Sequence, residues 1–202
     1  PRTEVLRHVL EYALLAAHRH GFGVFFWFVT LSSMGLGPAG AVLYRMAEFA
    51  SRYWSYKSQV TGTTTHDRLM NLSLKLFTWL DHVPSRMTAF GFAVVGNFED
   101  AVDAWRRHAV LWVRPNEGTI LSAASGALGV RLGGQAAPSA DGRDVSRTLS
   151  QGDGSDVIDA EGSTTGVPPE MAHLRSVVGL IWRSVVLWML LLALLSLANL
   201  IG

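Results

Sequence analysis

Three acidic residues stand close together at Glu99, Asp100 and Asp103. Asp100 and Asp103 are three apart, so on a helix they share a face and could gather Mg²⁺ for a phosphate-bearing substrate. The same residues also describe a charged helix end balanced by Arg106 and Arg107. His18 and His20 flank Arg19, with His8 upstream. Histidines two apart do not share a helix face, and the arginine between them repels a cation. A polar belt at an interface fits them better than a metal site, and no metal centre is expected. Gly126-Ala127-Leu128-Gly129 and Gly133-Gly134 could turn backbone N–H groups toward an anion. Tight helix packing explains those glycines equally well. No P-loop, dinucleotide fingerprint, zincin or serine-elbow pattern is present. These motifs assign no catalytic residue.

The elements around these residues are helical. Ser184 to Ile201 reads SVVLWMLLLALLSLANLI and carries no charge. A hydrocarbon core about 30 Å thick needs roughly 20 such residues to cross it. Arg175 and Arg183 precede the stretch, which places its N-terminal end in the cytoplasm. Residues 2–18 repeat apolar side chains at Val5, Leu6, Val9, Leu10, Ala13, Leu14 and Ala17, with Glu4, Arg7 and Glu11 elsewhere; a turn is expected at Gly21. Residues 22–36 are apolar and aromatic and predict a second, short span or re-entrant element. Gly35, Gly37 and Pro38 break it, and a new helix follows. Lys57 to Thr65 is polar and reads as a loop. Asp67 to His82 places Leu69, Leu72, Leu76 and Leu80 on one stripe and ends before Pro84. A shorter apolar helix covers Met87 to Val95, too short to span unaided.

The composition agrees with lipid as part of the environment. Charged residues are 16% of the 202, against about 25% in soluble domains. The net charge of +1 gives no basic field for nucleic acid, so none is expected as a partner. The absence of cysteine excludes disulfides, thiolate metal sites and a cysteine nucleophile. The chain begins at Pro1 inside a helical pattern, so it is expected to be the C-terminal part of a longer protein.

The stretch from Pro115 to Gly134 resembles the C-terminal motif of the CobD/CbiB family, membrane proteins of cobalamin biosynthesis. Against the approximate family pattern S-P-N-A-G-W-P-x-A-A-x-A-G-A-L-G-V-x-L-G-G the chain keeps Pro115, Asn116, Gly118, Ala123, Gly126, Ala127, Leu128, Gly129, Val130, Leu132, Gly133 and Gly134 in ungapped order. Pro84 and Arg86 fit the family's P-A-R segment, and Arg175 fits another family arginine. The resemblance implies an enzyme that joins aminopropanol phosphate to adenosylcobyric acid with consumption of ATP, and Mg²⁺ with it. Arg86, Asn116, Glu117, Gly118, Gly126, Gly129 and Arg175 are then the candidate ligand-binding residues, and a corrinoid the candidate ligand.

The chain departs from that pattern where chemistry is expected. The family's E-N-x-x-D-G segment falls near Leu15 to His20, which reads LAAHRH. Paired family aspartates fall near Phe77 and Thr78, and the family tryptophan at Thr119. Tyr12 to Trp54 and Leu80 to Trp105 resemble instead the AmpE-like branch, inner-membrane proteins linked to β-lactam-resistance signalling. The expectation is therefore an all-α, polytopic integral membrane helical bundle with amphipathic cytoplasmic helices. A helical membrane domain occupies 1–134, a flexible Gly/Ser/Asp-rich loop 135–167, and a C-terminal transmembrane helix 168–202. It lies in the inner membrane with residues 135–175 cytoplasmic. Its expected role is that of a sensor or accessory that has lost synthase residues, with the working synthase as the alternative. A third reading is a structural subunit that meets a membrane-protein partner or a second copy through Ala123 to Gly129.

Overall fold

The computed structural model of the chain describes residues 2–61, 64–133 and 164–201, and every regular element among them is helical. In order these are α1 (Arg2–Ala17), a π-helical turn (His18–Phe22), α2 (Gly23–Ser33), α3 (Ala39–Thr61), α4 (Thr64–Leu80), α5 (His82–Val95), α6 (Phe98–His108), a short 3₁₀ turn (Ala109–Leu111), α7 (Pro115–Leu128) and α8 (Met171–Ile201).

The turn expected at Gly21 does not occur. The helix runs on from α1 to α2 through the π-helical turn, where Gly23 donates its N–H to the His18 carbonyl. Glycine permits a reversal but does not force one. The wider turn instead brings both His18 and Phe22 inside. The face of α1 is also rotated from expectation. Val5 and Val9 are exposed, while Glu11 is fully buried beside Leu10, Leu14 and Leu15.

Gly35 and Gly37 adopt positive φ, and the chain reverses there into α3. The expected loop from Lys57 to Thr65 is mostly helix, since α3 extends to Thr61 and α4 begins at Thr64. The threonines are weak helix formers, but packing of the two helices on one another overrides that preference.

α7 is the hub. Residues 118–125 are all buried, with α5 and α6 packed along its flanks. Pro115 opens it, and Gly129, at φ 67°, closes it in the left-handed conformation that glycine tolerates. The core gathers Leu10, Leu14, Phe22, Phe92, Trp112, Ile120, Leu121 and Leu180 around it. The small residues expected to meet a partner are spent within the chain: Ala123 and Ala124 are fully buried, and Gly126 rests on the backbone of α6 at Asp100 and Ala101.

Beyond α7 the described residues include a parallel bridge, Val130 to Val167. Thr164 N donates to Leu132 O at 2.9 Å, and its hydroxyl takes a hydrogen bond from Ser125 Oγ at 2.6 Å. Residues 164–167 of the expected flexible loop are therefore anchored, while 135–163 lie outside the described residues.

Met171–Ala198 of α8 forms the one helix among the described residues that is long and apolar enough to cross a membrane, with mean hydropathy 2.2. Only 17% of that window is buried inside the protein, unlike the core helix of a soluble bundle. Its inner face docks Val177, Leu180 and Trp188 on the core. The other expected span corresponds to α2. At 11 residues it covers about 16 Å, roughly half a hydrocarbon core.

Gly23 shows how closely α2 and α3 approach. A methyl group there would collide with the Tyr44 hydroxyl and stand 2.5 Å from its Cζ. Gly23→Ala is expected to displace Tyr44 and destabilise the fold by about 1–3 kcal/mol. A thermal melt in detergent, followed by tryptophan fluorescence, checks this.

Candidate functional site

The π-helical turn carries three polar side chains into contact with three other helices, α3, α5 and α7, and with the α4–α5 junction. His18 is at its start and is 1% exposed. Its Nε2 lies 2.8 Å from Asp81 Oδ1, and its Nδ1 lies 2.8 Å from Thr88 Oγ1. Tyr44 OH, from α3, donates to the same Asp81 oxygen at 2.7 Å. Asp81 stands between α4 and α5, so the break between those helices fixes its position. Burial is the main cause that pushes the Tyr44 hydroxyl far above its ordinary value, and the adjoining Asp81 carboxylate adds to it. The phenol therefore remains a donor.

A second layer surrounds this centre. Arg19 donates to Glu117 Oε1 at 2.6 Å, and Arg114 reaches the same oxygen at 3.0 Å. Glu48 is buried between Arg45 and Arg52 on α3, and Arg45 also contacts His20 Nδ1 at 2.7 Å. Asn116 Nδ2 donates to the Thr78 carbonyl at 2.9 Å. Three segments far apart in sequence thus converge: the π-helical turn, the α4–α5 junction and the start of α7.

Thr88, His18 and Asp81 have the order of a hydroxyl, a base and an orienting acid, the geometry of a nucleophilic relay. None of the three is more than 4% exposed, however. A substrate cannot reach the Thr88 hydroxyl, and what the arrangement does as it stands is join α1, α3, α4 and α5. Breaking such a buried polar network leaves unpartnered groups at a cost of about 1–3 kcal/mol each.

The candidate residues from the sequence are only partly brought together. Asn116 and Glu117 adjoin the cluster as described. Arg86 lies on α5, where it donates to the His82 carbonyl at 2.9 Å. That His82 lines an open groove of about 400 Å³ together with Asn71, Leu74, Lys75, Thr78 and Trp79. Gly118 is needed for packing, since a methyl group there would stand 2.6 Å from the Trp112 side chain. Gly126 packs on α6 and Gly129 caps α7, while Arg175 is exposed on the first turns of α8. Asp100 belongs to the capping network of α6: its backbone N–H donates to Asn97 Oδ1, and its carboxylate accepts from Asn97 Nδ2 at 2.5 Å. Asp103 pairs with Arg107 at 2.9 Å. Both therefore behave as a charged helix end.

Glu11 is the buried acid that the sequence reading placed on the wrong face. Its Oε1 accepts the Gly133 N–H at 2.7 Å, and its Oε2 has no hydrogen-bond partner. Burial raises its carboxyl above the ordinary 4.5, against the opposing pull of Gly133, Arg7 and His8. The folded chain thus holds a proton that the unfolded chain has released. Stability from this group is greatest below the unfolded value and falls as pH rises toward the folded one. Glu11→Gln keeps an acceptor for Gly133 and cannot ionise. The gap between its melting midpoint and the parent's is expected to widen in favour of the variant as pH rises from the carboxylate range to neutrality. Melts across that range measure it, and a constant gap contradicts it.

Among the described residues the chain is therefore all-helical, with one helix long and apolar enough to cross a membrane and a polar centre where three distant segments meet. The family model for CobD/Cbib protein matches residues 3–160, and the chain belongs to the CobD/CbiB family. It is 29% identical over 172 residues to a cobalamin biosynthesis protein CobD of Stutzerimonas stutzeri, covering 85% of this chain and 48% of that protein. A second cobalamin biosynthesis protein CobD, from Chromobacterium violaceum, is 33% identical over 135 residues, covering 65% of this chain and 39% of its own. The chain thus spans about half the length, or less, of the curated relatives it matches. No solved structure matches it.

Proposed function

We propose that this chain is part of a multi-pass inner-membrane protein that keeps the CobD/CbiB fold, has lost amide-forming chemistry, and serves as an AmpE-like sensor or accessory. The observation that carries the reading is that the carboxylates of the centre are already engaged. Asp81 is held by His18 and Tyr44, Glu117 by Arg19 and Arg114, and Glu48 by Arg45 and Arg52. Carboxylates so engaged do not fit a Mg²⁺ site, which needs acid oxygens free to reach the ion. Among the described residues no three of His, Asp and Glu gather closely enough to hold a metal. Phe77 and Thr78 stand where the family resemblance places paired aspartates.

The multi-pass arrangement rests on α8 as one span, with α2 as a second segment inside the bilayer and residues 135–175 on the cytoplasmic side. A membrane-protein partner or a second copy is part of an accessory's role. Equilibrium binding of ATP, and separately of a corrinoid, to the purified full-length protein tests the reading. Neither is expected to bind at millimolar concentration; tight binding of both would overturn it.

A second reading is favoured by the relatives' names, which place them in cobalamin biosynthesis, together with the family resemblance: adenosylcobinamide-phosphate synthase, with ATP consumed and Mg²⁺ required in forming the amide. Arg86, Asn116, Glu117 and Arg175 would then bind or polarise phosphate and carboxylate groups, arginine suiting phosphate through its two-pronged fork. On that reading Asn116→Ala abolishes ATP-dependent amide formation in an assay of the full-length protein.

A further inference from the structure

α3 turns its apolar side away from the protein. Val42, Met46, Phe49, Tyr53, Tyr56 and Val60 recur every three or four residues and are 43–67% exposed. The buried face of the helix, with Tyr44, Glu48 and Ser51, lies on the opposite side. On α4 the leucine stripe is likewise turned outward: Leu69, Leu72, Leu76 and Trp79 are exposed and only Leu80 is buried. The two helices pack on one another, and both stripes are left uncovered by the rest of the protein.

The flanks of the stripes are basic. Arg45 and Arg52 edge one side of the α3 stripe, each with its side chain nearly half exposed. Lys57 edges the other, its Nζ 5.6 Å from the Tyr53 ring centre. Arg68 and Lys75 border the α4 stripe and are exposed. The acids among them are Glu48, which is buried, and Asp67. Neither helix is apolar enough to span a bilayer, and only α8 meets that test among the described residues. An apolar stripe edged with arginine and lysine, aromatic at its centre and too polar to cross, matches the chemistry of the headgroup–acyl boundary.

We propose that the outer face of the α3–α4 hairpin is a docking surface for anionic phospholipid, with Met46, Phe49 and Tyr53 entering the headgroup region and Lys57, Arg68 and Lys75 meeting the lipid phosphates. The inference rests on the membrane reading of α8 and goes beyond it: the hairpin senses the surface charge of the leaflet that α8 anchors the chain to.

The chain contains no cysteine, so single-cysteine labelling needs no background removal. Phe49→Cys and Tyr53→Cys, each carrying a polarity-sensitive fluorophore, are compared in proteoliposomes of phosphatidylcholine and of phosphatidylcholine mixed with phosphatidylglycerol. Val110→Cys, on the exposed 3₁₀ turn, is the reference. The expected result is a blue shift and quenching by spin-labelled lipid at 49 and 53 that grows with phosphatidylglycerol, falls with added salt, and is absent at 110. Replacing Lys57, Arg68 and Lys75 together with glutamate is expected to return the signal to its level in neutral vesicles. Equal signals in neutral and anionic vesicles overturn the proposal. Shielding that persists in detergent and grows with protein concentration also overturns it, since a second copy then covers the face. Release of the chain by alkaline carbonate would overturn the membrane reading itself, and so is distinguishable from failure of this inference alone.

Discussion

Asp81→Ala is expected to lower the stability of the folded chain by about 3–5 kcal/mol, the cost of removing one partner from a buried charged network. That is a large part of the roughly 5–15 kcal/mol that a domain commands in total. The reason lies in what the carboxylate leaves behind. Its Oδ1 accepts from both His18 Nε2 and Tyr44 OH, so its loss orphans two buried donors on two different helices. Asp81→Asn retains an acceptor of the same shape and is expected to fall well short of the alanine variant. Tyr44→Phe removes one donor and should cost about 1 kcal/mol. Adding Tyr44→Phe to Asp81→Ala should cost less than the sum, because one of the two orphans is then gone. Thermal or denaturant melts in a single detergent measure all four. A cost for Asp81→Ala below that of Tyr44→Phe would show that the network does not hold these helices together.

The second large effect is at Gly126. A side chain there would run into the Asp100 carbonyl and come within 2.6 Å of Ala101 Cα. Both are backbone atoms of α6 and cannot rotate aside. Gly126→Ala is expected to destabilise the protein by about 3 kcal/mol, at the upper end for overpacking, and Gly126→Leu to prevent a stable fold. Gly129→Ala gives the comparison. Nothing lies within 4 Å of its added carbon, so only the left-handed φ of 67° opposes it, and about 1 kcal/mol is expected. Similar losses at the two positions would refute close α6–α7 packing as the reason for glycine at 126.

The helices with strong local signals were legible in the sequence. The uncharged tail marks α8, whereas the small residues of 115–134 do not by themselves announce α7, which Pro115 and Gly129 bound. The continuous path from α1 to α2 was not legible, because Gly21 allows a turn that only tertiary contacts can decline. The site was hidden for a similar reason. Glu11, Glu48 and Asp81 are acids, and an acid without visible partners is assigned to solvent. The partners of Glu11 and Asp81, Gly133 and His18, lie far away in the sequence, out of reach of periodicity, whereas Arg45 and Arg52 flank Glu48 at helical spacing on α3. One signal did exist: Glu11 precedes Leu14, Leu15 and His18 by three, four and seven residues, which places it in the middle of a buried helix face. The resemblance reached further than periodicity, since the segments it singled out around 15–20, 77–86 and 115–118 are the ones that meet at the π-helical turn.

The central claim is that this meeting point is a structural lock in a protein without synthase chemistry. The most direct test is to express the full-length protein from its own gene in a cobalamin auxotroph that lacks its own synthase, with immunoblotting of the membrane fraction to establish that it is made. No growth without an added late corrinoid precursor is predicted, whereas growth restored by the protein alone would contradict the account.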